Sequence, residues 1–281
     1  MSEQIDDIIR RALAEDAPWG DLTSEAFVPE EATASAALVA REEGVLSGAG
    51  VFARVFALVD PAVVVELGLD DGEPFAPGAV LARVDGAARA VLRAERIALN
   101  LVQRMSGIAT LTARYVAAID GTAARIVDTR KTTPGLRILE RQAVRDGGGH
   151  NHRFSLSDAV MAKDNHLAVL AAQGVSVGDA IRRARARLGH TVHLEVEVDR
   201  IDQIEEVVSA GVDTIMLDNF TPDELREGVA LVAGRAIVEA SGGVNLDTVR
   251  AIAESGVDVI SVGALTHSVR SLDLGLDVTV S

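Results

Sequence analysis

The spacing of apolar and polar positions changes character along the chain. Over Asp6–Glu15, Ile8, Ala12 and Leu13 fall on one side of a short amphipathic helix. Ala34–Ala40, Val63–Leu67 and Val80–Val84 read as short strands between Gly and Pro punctuation. A longer helix is predicted over Arg89–Met105, where Val91, Ala94, Ala98, Leu101 and Met105 make an apolar stripe at helical spacing. Arg89, Arg93, Arg96, Asn100 and Gln103 follow the same spacing on the other side, and a solvated face is the expectation for Arg89 and Arg93.

From about residue 120 the rhythm becomes regular. Short apolar strands are predicted at Arg125–Thr129, Ala159–Ala162, Val192–Val198, Thr214–Leu217, Ala236–Ala240 and Val257–Val262. Amphipathic helices fall between most of them, at Gly178–Leu188, Ile201–Ala210, Pro222–Val232 and Leu246–Ser255. Strand–helix alternation at this spacing implies βαβ units and a parallel sheet. The six strands are fewer than a closed (β/α)8 barrel holds. A doubly wound open sheet also fits the alternation, but the glycine fingerprint of a dinucleotide fold is missing after the first strand.

The residues that follow these strands carry the chemistry. The first run ends in Asp128-Thr129-Arg130-Lys131 and the second in Lys163-Asp164-Asn165-His166. The third carries Glu195 and Glu197, and the fourth ends in Asp218-Asn219. The fifth ends in Glu239 and Ser241-Gly242-Gly243, the sixth in Val262-Gly263-Ala264. In a barrel of parallel strands all of these ends share one rim, where such folds place their active sites. The last two glycine elements suit a phosphate held on backbone N–H groups, although tight turns needing positive φ explain them too. Asp164, Asn165 and His166 have a plain alternative role as caps of a following helix, Glu195 as a salt-bridge partner at a strand end, and Glu140 as a member of an ion network.

Charge sharpens this picture. The 281-residue chain has a formal net charge of −15, which argues against nucleic-acid binding. Within residues 128–166, seven cations face five anions, so positive charge is gathered where the rim begins. Half of the six histidines are there too, and Gly147-Gly148-Gly149 supplies backbone N–H groups that suit an anionic ligand. Alone that glycine run is explained equally well by a flexible loop, but beside His152-Arg153 it gains weight. The absence of cysteine removes disulfides, thiolate metal sites and thiol nucleophiles. No apolar run is long enough to span a bilayer, and the acidic, polar N-terminus does not read as a signal peptide. A cytoplasmic protein with no membrane partner is expected.

A nearly full-length set of motifs resembles the quinolinate phosphoribosyltransferase family. It comprises Leu13-Ala14-Glu15-Asp16, Gly20-Asp21-Leu22-Thr23, Glu95–Asn100, Ser106–Thr110, Asp128–Arg137, Gly147–Arg153, Lys163–His166, Glu195–Glu197, Leu217–Asn219, Glu239–Gly243 and Gly263–Ser268, in order. The resemblance implies an α/β fold, with an N-terminal α/β sandwich over residues 1–107, joined by 268–281, and an incomplete TIM-like α/β barrel over 108–267. It implies quinolinate and phosphoribosyl pyrophosphate as substrates, Mg²⁺ as cofactor, and nicotinate mononucleotide, pyrophosphate and CO₂ as products. It also implies a homodimer, or a hexamer, with shared active sites. By the same resemblance Arg130, His152, Arg153 and Lys163 hold the quinolinate carboxylates, and Arg96 reaches in from the neighbouring subunit. Lys131 and Lys163 serve the phosphoribosyl pyrophosphate side, Thr129 is a further substrate-binding residue, and Glu197 and Asp218 bind ribose hydroxyls and the metal. Ser241, Gly242, Gly243, Val262, Gly263 and Ala264 hold the 5′-phosphate, supported by His267. Gln142 and Gly275 depart from residues common in the family, and no mechanistic role is expected of either. Two other functions fit less well: a transferase for another pyridine or aromatic acid, and a non-catalytic anion-binding paralogue.

Overall fold

The computed structural model describes residues 2–163, 165–166, 169, 172 and 174–280. Two compact units share the chain. The first comprises Met1–Ala113, Thr132–Gly148 and Ser268–Ser281, the second Arg114–Lys131 and Gly149–His267. Residues 132–148, read from the sequence as part of the barrel segment, lie in the first unit.

The first unit opens with helix α1 (Glu3–Asp16), whose Ile5, Ile8 and Ile9 are buried. Helix α2 (Leu22–Phe27) starts where the Asp21 carboxylate accepts the Thr23 and Ser24 backbone N–H groups at 3.1 Å. Strands β1 (Thr33–Ala40) and β2 (Gly44–Val45) are followed by helix α3 (Ala49–Val59). Strands β3 (Val64–Leu67), β4 (Pro74–Phe75) and β5 (Val80–Ala87) follow. Alternation along β1 buries Ala34, Ala36, Leu38 and Ala40 on one face. Phe52 and Phe56 of α3 are fully buried and meet edge to face at 5.0 Å.

Helix α4 (Ala88–Ala118) is the longest element. Its apolar stripe continues past Met105 through Ile108, Ala109 and Tyr115, all buried, so the helix runs unbroken beyond the predicted end at Met105 and through Ser106–Thr110. Arg89 does more than face solvent: its guanidinium donates to the carbonyls of Val28 at 2.9 Å and Glu25 at 3.3 Å, closing the end of α2.

In the second unit the strands are β6 (Arg125–Val127), β7 (Val160–Ala162), β8 (Leu194–Val198), β9 (Thr214–Asp218), β10 (Ile237–Ser241) and β11 (Val259–Ser261). They form one parallel sheet in the order β6-β11-β10-β9-β8-β7. Strands β7 to β11 sit side by side in sequence order, and the first strand joins beside the last. That is barrel order rather than the reversal of a doubly wound sheet. β6 and β7 do not pair, which leaves the barrel incomplete. Ile126, Val196, Ile215, Leu217 and Ile260 are almost wholly buried, as strands covered on both faces require. Connecting helices span Val177–Arg187, Ile204–Ser209, Pro222–Val232 and Val249–Ala253. The Pro222–Val232 helix has a capping box, with Thr221 and Glu224 satisfying each other's backbone N–H groups and Pro222 in the first turn.

Helix α5 (Arg137–Asp146) and strand β12 (Leu274–Val280) complete the first unit. β12 pairs antiparallel with β1, giving a four-stranded sheet in the order β12-β1-β5-β3.

Candidate active site

The C-terminal ends of the parallel strands surround a cavity of about 360 Å³. Thr129, Arg130, Lys131, His152, Arg153, Lys163, Glu197, Asp218 and Ser241, all predicted from the sequence, line it together with Met161, Met216, Glu239 and Ser261. The sheet order explains the gathering. Parallel strands in register bring successive strand ends to one rim, whatever their separation along the chain.

Local hydrogen bonds fix the cationic wall. Asp128 closes β6 and is fully buried. Its carboxylate accepts the Asn151 side-chain amide and the His152 backbone N–H, both at 2.7 Å. The segment carrying His152 and Arg153 is thereby tied to the strand that leads to Arg130. Arg153 donates to the Ala159 carbonyl at 2.9 Å, and its guanidinium is destabilised by burial first and by the charge of Arg130 second. Arg130 Nε is buried without a hydrogen-bond partner among the described residues, a donor oriented for an acceptor that the fold itself does not supply. The exposed Lys131 has its backbone N–H on Thr129 Oγ1 at 3.1 Å, and its carbonyl accepts from the buried Thr266 hydroxyl at 2.8 Å.

The acidic side is built on β8 and β9. Glu197 accepts the Lys163 ammonium at 2.5 Å. Half-buried Asp218 accepts the Asn219 side-chain amide at 2.7 Å. Asn219 adopts φ +62°, uncommon for a residue with a side chain, and its own N–H is held by the Ser241 carbonyl.

Gly242 and Gly243 have φ of +90° and +60°. A Cβ on Gly242 would lie 2.1 Å from Asn219 Oδ1, so this glycine is required both by its backbone conformation and by the side chain seated against it. Gly263 stands where His267 and the Lys131 stem converge, 2.9 and 3.2 Å from where a Cβ would be. Val262 continues the β11–β6 pairing through its N–H to Val127, and Ala264 begins the short helix Ala264–His267. Gly242, Gly243, Val262, Gly263, Ala264 and His267 do not line the cavity directly. They form the strand-end loops around its Ser241 and Lys131 edges.

Beneath the cationic wall is a cluster that strand-end reading alone does not assemble. His152 Nε2 lies 3.3 Å from Glu195 and 3.4 Å from Glu239. Both glutamates are 3% exposed, and each has one further carboxylate oxygen buried without a partner among the described residues. Burial works against charge on the imidazole, but hydrogen bonds and charge from Glu195 and Glu239 outweigh it and raise the His152 pKa to about 10. Burial also pushes the Glu195 carboxyl up, opposed by its hydrogen bond to His152. Nδ1, however, accepts the Arg153 N–H at 2.8 Å, a geometry that disfavours a proton there. The two observations agree if the second proton is shared with Glu195, because the charge of the cluster is then the same. A neutral ring against two ionised, buried carboxylates would cost on the order of 3 kcal/mol or more. We therefore take the cluster to hold one proton beyond that of a neutral imidazole.

Other sequence expectations resolve differently. Gly147 and Gly148 do not offer their N–H groups to an anion. They donate to Ala143 and Arg145 carbonyls at 3.0 and 2.8 Å and cap α5. Arg137, Arg141 and Arg145 belong to α5 in the first unit, so the positive segment seen in the sequence divides and only part of it reaches the cavity. His166 Nδ1 accepts the Lys163 N–H at 3.1 Å, the local capping role. Asp164 lies outside the described residues. Arg96 is exposed on α4 in the first unit. No helix among the described residues is long and apolar enough to cross a membrane.

Comparison with known proteins points one way. The family described as quinolinate phosphoribosyl transferase, N-terminal domain, matches residues 21–106, and its C-terminal domain matches residues 108–277. The chain is 44% identical over 278 residues to a Bacillus subtilis protein named probable nicotinate-nucleotide pyrophosphorylase (carboxylating), covering 99% of this chain and 94% of that one. It is 44% identical over 280 residues to the Mycobacterium leprae nicotinate-nucleotide pyrophosphorylase (carboxylating), covering 97% and 96%. The crystal structure of NadC from Streptococcus pyogenes matches with a TM-score of 0.94 at 43% identity, covering 99% of this chain and 97% of that one.

Proposed function

This chain belongs to the quinolinate phosphoribosyltransferase family, and we propose that it joins quinolinate to phosphoribosyl pyrophosphate, releasing pyrophosphate and CO₂ and yielding nicotinate mononucleotide for NAD biosynthesis. The observation that carries this reading is one cavity in which Arg130, His152, Arg153 and Lys163 meet Glu197 and Asp218. A dicarboxylate needs the first group, and a sugar that develops positive charge needs the second.

The chemistry follows from the residues present. Arg130 and Arg153 offer planar forks suited to carboxylates, and the unsatisfied Arg130 Nε supports that role. Holding quinolinate there sets its ring nitrogen against the anomeric carbon, replacing a bimolecular encounter by a positioned one. As pyrophosphate departs, the sugar gains oxocarbenium character, which the carboxylates of Glu197 and Asp218 stabilise. Lys131 and Lys163 stabilise the leaving pyrophosphate. Once bonded to the sugar, the ring nitrogen is cationic and stabilises the electron pair left on the adjacent ring carbon as the bond to CO₂ breaks; a proton from water then takes the place of the carboxylate on that carbon. No protein nucleophile is required, consistent with a chain lacking cysteine. Ser241, Gly242 and Gly243, with Val262, Gly263 and Ala264, offer backbone and hydroxyl contacts to the 5′-phosphate, and His267 borders them.

Mg²⁺ fits this donor set. It prefers oxygen ligands and one or two carboxylates beside substrate phosphates, which Glu197 and Asp218 match. Bound there, it would neutralise the pyrophosphate as it leaves. The His152–Glu195–Glu239 cluster suits it less, because one of its three donors is an imidazole nitrogen and Mg²⁺ prefers oxygen ligands.

The proposed assembly is a cytoplasmic homodimer in which Arg96 enters the partner's site. Trp19, Leu22 and Phe27, 91%, 77% and 84% exposed, support an interface on the first unit. The test of the reaction is quinolinate loss with phosphoribosyl pyrophosphate and Mg²⁺, measured beside CO₂ release and a nicotinate control. Turnover of quinolinate alone, with CO₂, is expected. Turnover of nicotinate alone would assign a different pyridine acid. Binding of both substrates without turnover would make the protein a non-catalytic paralogue.

A further inference from the structure

We propose that Asp128 and Asn151, neither of which lines the cavity, are positioning residues for quinolinate: they fix the segment that fills the open side of the barrel and carries His152 and Arg153 to the substrate. The inference rests on the proposed reaction only for its kinetic arm.

β6 and β7 stand at the two ends of the sheet order and do not pair among the described residues, so the barrel has one open side. The segment from His150 to Arg153 fills it. His150 makes a parallel bridge with Val127: its N–H donates to the Ile126 carbonyl at 2.8 Å, and its carbonyl accepts the Asp128 N–H at 3.1 Å. β6 therefore has backbone partners on both edges, β11 on one and His150 on the other. At the far end of the segment the Arg153 guanidinium donates to the carbonyl of Ala159, the residue before β7, at 2.9 Å. Two cavity-lining residues, His152 and Arg153, thus belong to the wall that completes the barrel.

Side chains take over where the bridge ends. The fully buried Asp128 accepts the His152 N–H on Oδ1 and the Asn151 side-chain amide on Oδ2, both at 2.7 Å. A carboxylate suits this place because its two oxygens accept two donors at once, whereas an amide has one acceptor. Away from water, a donor left unmatched is costly, so the pair of bonds holds the segment in one place. Asp128 also lies two residues before Arg130 on the same strand end. One side chain therefore sets the separation between Arg130 and the His152–Arg153 pair. Quinolinate carries its carboxylates on adjacent ring carbons and needs its cationic partners at a fixed separation; a shift of about 1 Å in such a site can cost on the order of 100-fold in rate.

The test compares the full-length wild type with Asp128→Asn, Asn151→Ala and the paired variant Asp128→Asn/Asn151→Asp. Asp128→Asn leaves one acceptor for two donors, and Asn151→Ala removes one donor. Each is expected to raise the quinolinate KM about tenfold or more, with the phosphoribosyl pyrophosphate KM within about twofold of wild type. The paired variant exchanges donor and acceptor while keeping both bonds and the net charge. It is expected to bring the quinolinate KM back to within about threefold of wild type. Hydrogen exchange in the peptide spanning residues 149–154 should be faster by about tenfold or more in the single variants and return in the paired one. Single variants with unchanged quinolinate KM or unchanged exchange overturn the proposal, and so do equal rises in both KM values. A paired variant as impaired as Asp128→Asn overturns it too, because the Asp128 carboxylate itself would then be what the reaction needs. If Asp128→Asn does not fold, Asn151→Ala carries the same decision. Absence of quinolinate turnover by the wild type would count against the proposed reaction, and the exchange measurement would still decide what holds the segment.

Discussion

The Lys163 ammonium and the Glu197 carboxylate are paired at 2.5 Å on the cavity wall, with the lysine side chain 44% exposed and the glutamate 13%. The arrangement is asymmetric: the cation can reach solvent or substrate, and the anion is set back. Lys163→Ala is expected to lower kcat/KM for quinolinate by about 100- to 1,000-fold, the size of one well-placed electrostatic contact. Because removing Lys163 also leaves Glu197 without its counter-charge, the double variant with Glu197→Gln should fall short of the sum of the single losses. Near-normal turnover in folded Lys163→Ala would remove this residue from the machinery.

Arg130 gives a different signature. Its buried Nε has no partner among the described residues, so the side chain carries a desolvation cost that a carboxylate contact would offset. Arg130→Ala should raise the quinolinate KM by about tenfold or more and lower kcat, while binding of phosphoribosyl pyrophosphate by calorimetry changes by less than about threefold. A protein that loses both affinities together would point to collapse of the loop after β6 instead.

Much of this site was legible before the fold, for a physical reason. A parallel sheet sends every strand end to one rim, so Arg130, Lys131, Lys163, Asp218 and Ser241 could be gathered from strand positions alone, while the choice of Glu197 over Glu195 came from the family resemblance. The His152–Glu195–Glu239 cluster was not legible in that way. It depends on β8 and β10 flanking β9, on which side each glutamate faces, and on Asp128 fixing the His152 backbone. Gly147 and Gly148 misled because a glycine pair has the same appearance whether it cradles an anion or caps a helix. Only the carbonyls of Ala143 and Arg145 decide. The full length of α4 was readable, since buried Ile108, Ala109 and Tyr115 keep the helical spacing beyond Met105.

Gly242 tests the phosphate loop. Alanine there would meet Asn219 Oδ1 at 2.1 Å and would have to hold φ near +90°, a backbone strain on the order of 1–3 kcal/mol. Asn219 must move, and with it the amide that orients Asp218. The expected outcome for Gly242→Ala is a rise of about tenfold in the phosphoribosyl pyrophosphate KM with quinolinate affinity nearly unchanged. Unchanged affinity for both substrates would separate this loop from the phosphate.

Stability of the first unit should be sensitive to an ion pair away from the cavity. Glu140 is 1% exposed and accepts the Arg104 guanidinium on one oxygen at 2.9 Å and the Thr133 N–H on the other at 3.1 Å. Arg104 also donates to the Val269 carbonyl at 3.0 Å. This is the ion-network role expected for Glu140. Glu140→Ala strands a partly buried guanidinium and is predicted to cost about 3 kcal/mol in denaturant unfolding. A double-mutant cycle with Arg104→Ala should recover much of that loss. Additive losses would show that the two side chains contribute independently.

The His152 cluster also makes stability depend on pH, and the direction follows from proton counting. The pKa of His152 is about 10 in the folded chain and about 6.5 in an unfolded one, so between these values the folded protein holds a proton that the unfolded chain does not. The resulting stabilisation is complete below about pH 6.5 and is lost as pH rises toward 10. His152→Gln removes this contribution together with the titrating ring, so the stability gap between wild type and variant should be widest near pH 6 and should narrow steadily through pH 9, measured by denaturant unfolding at each pH. If the extra proton resides on Glu195, the gap still narrows with pH, because the proton belongs to the cluster as a whole. A gap that stays constant from about pH 6 to pH 9 would mean that folding takes up no proton at this cluster, and that the two glutamates are balanced by Arg130 and Arg153 instead.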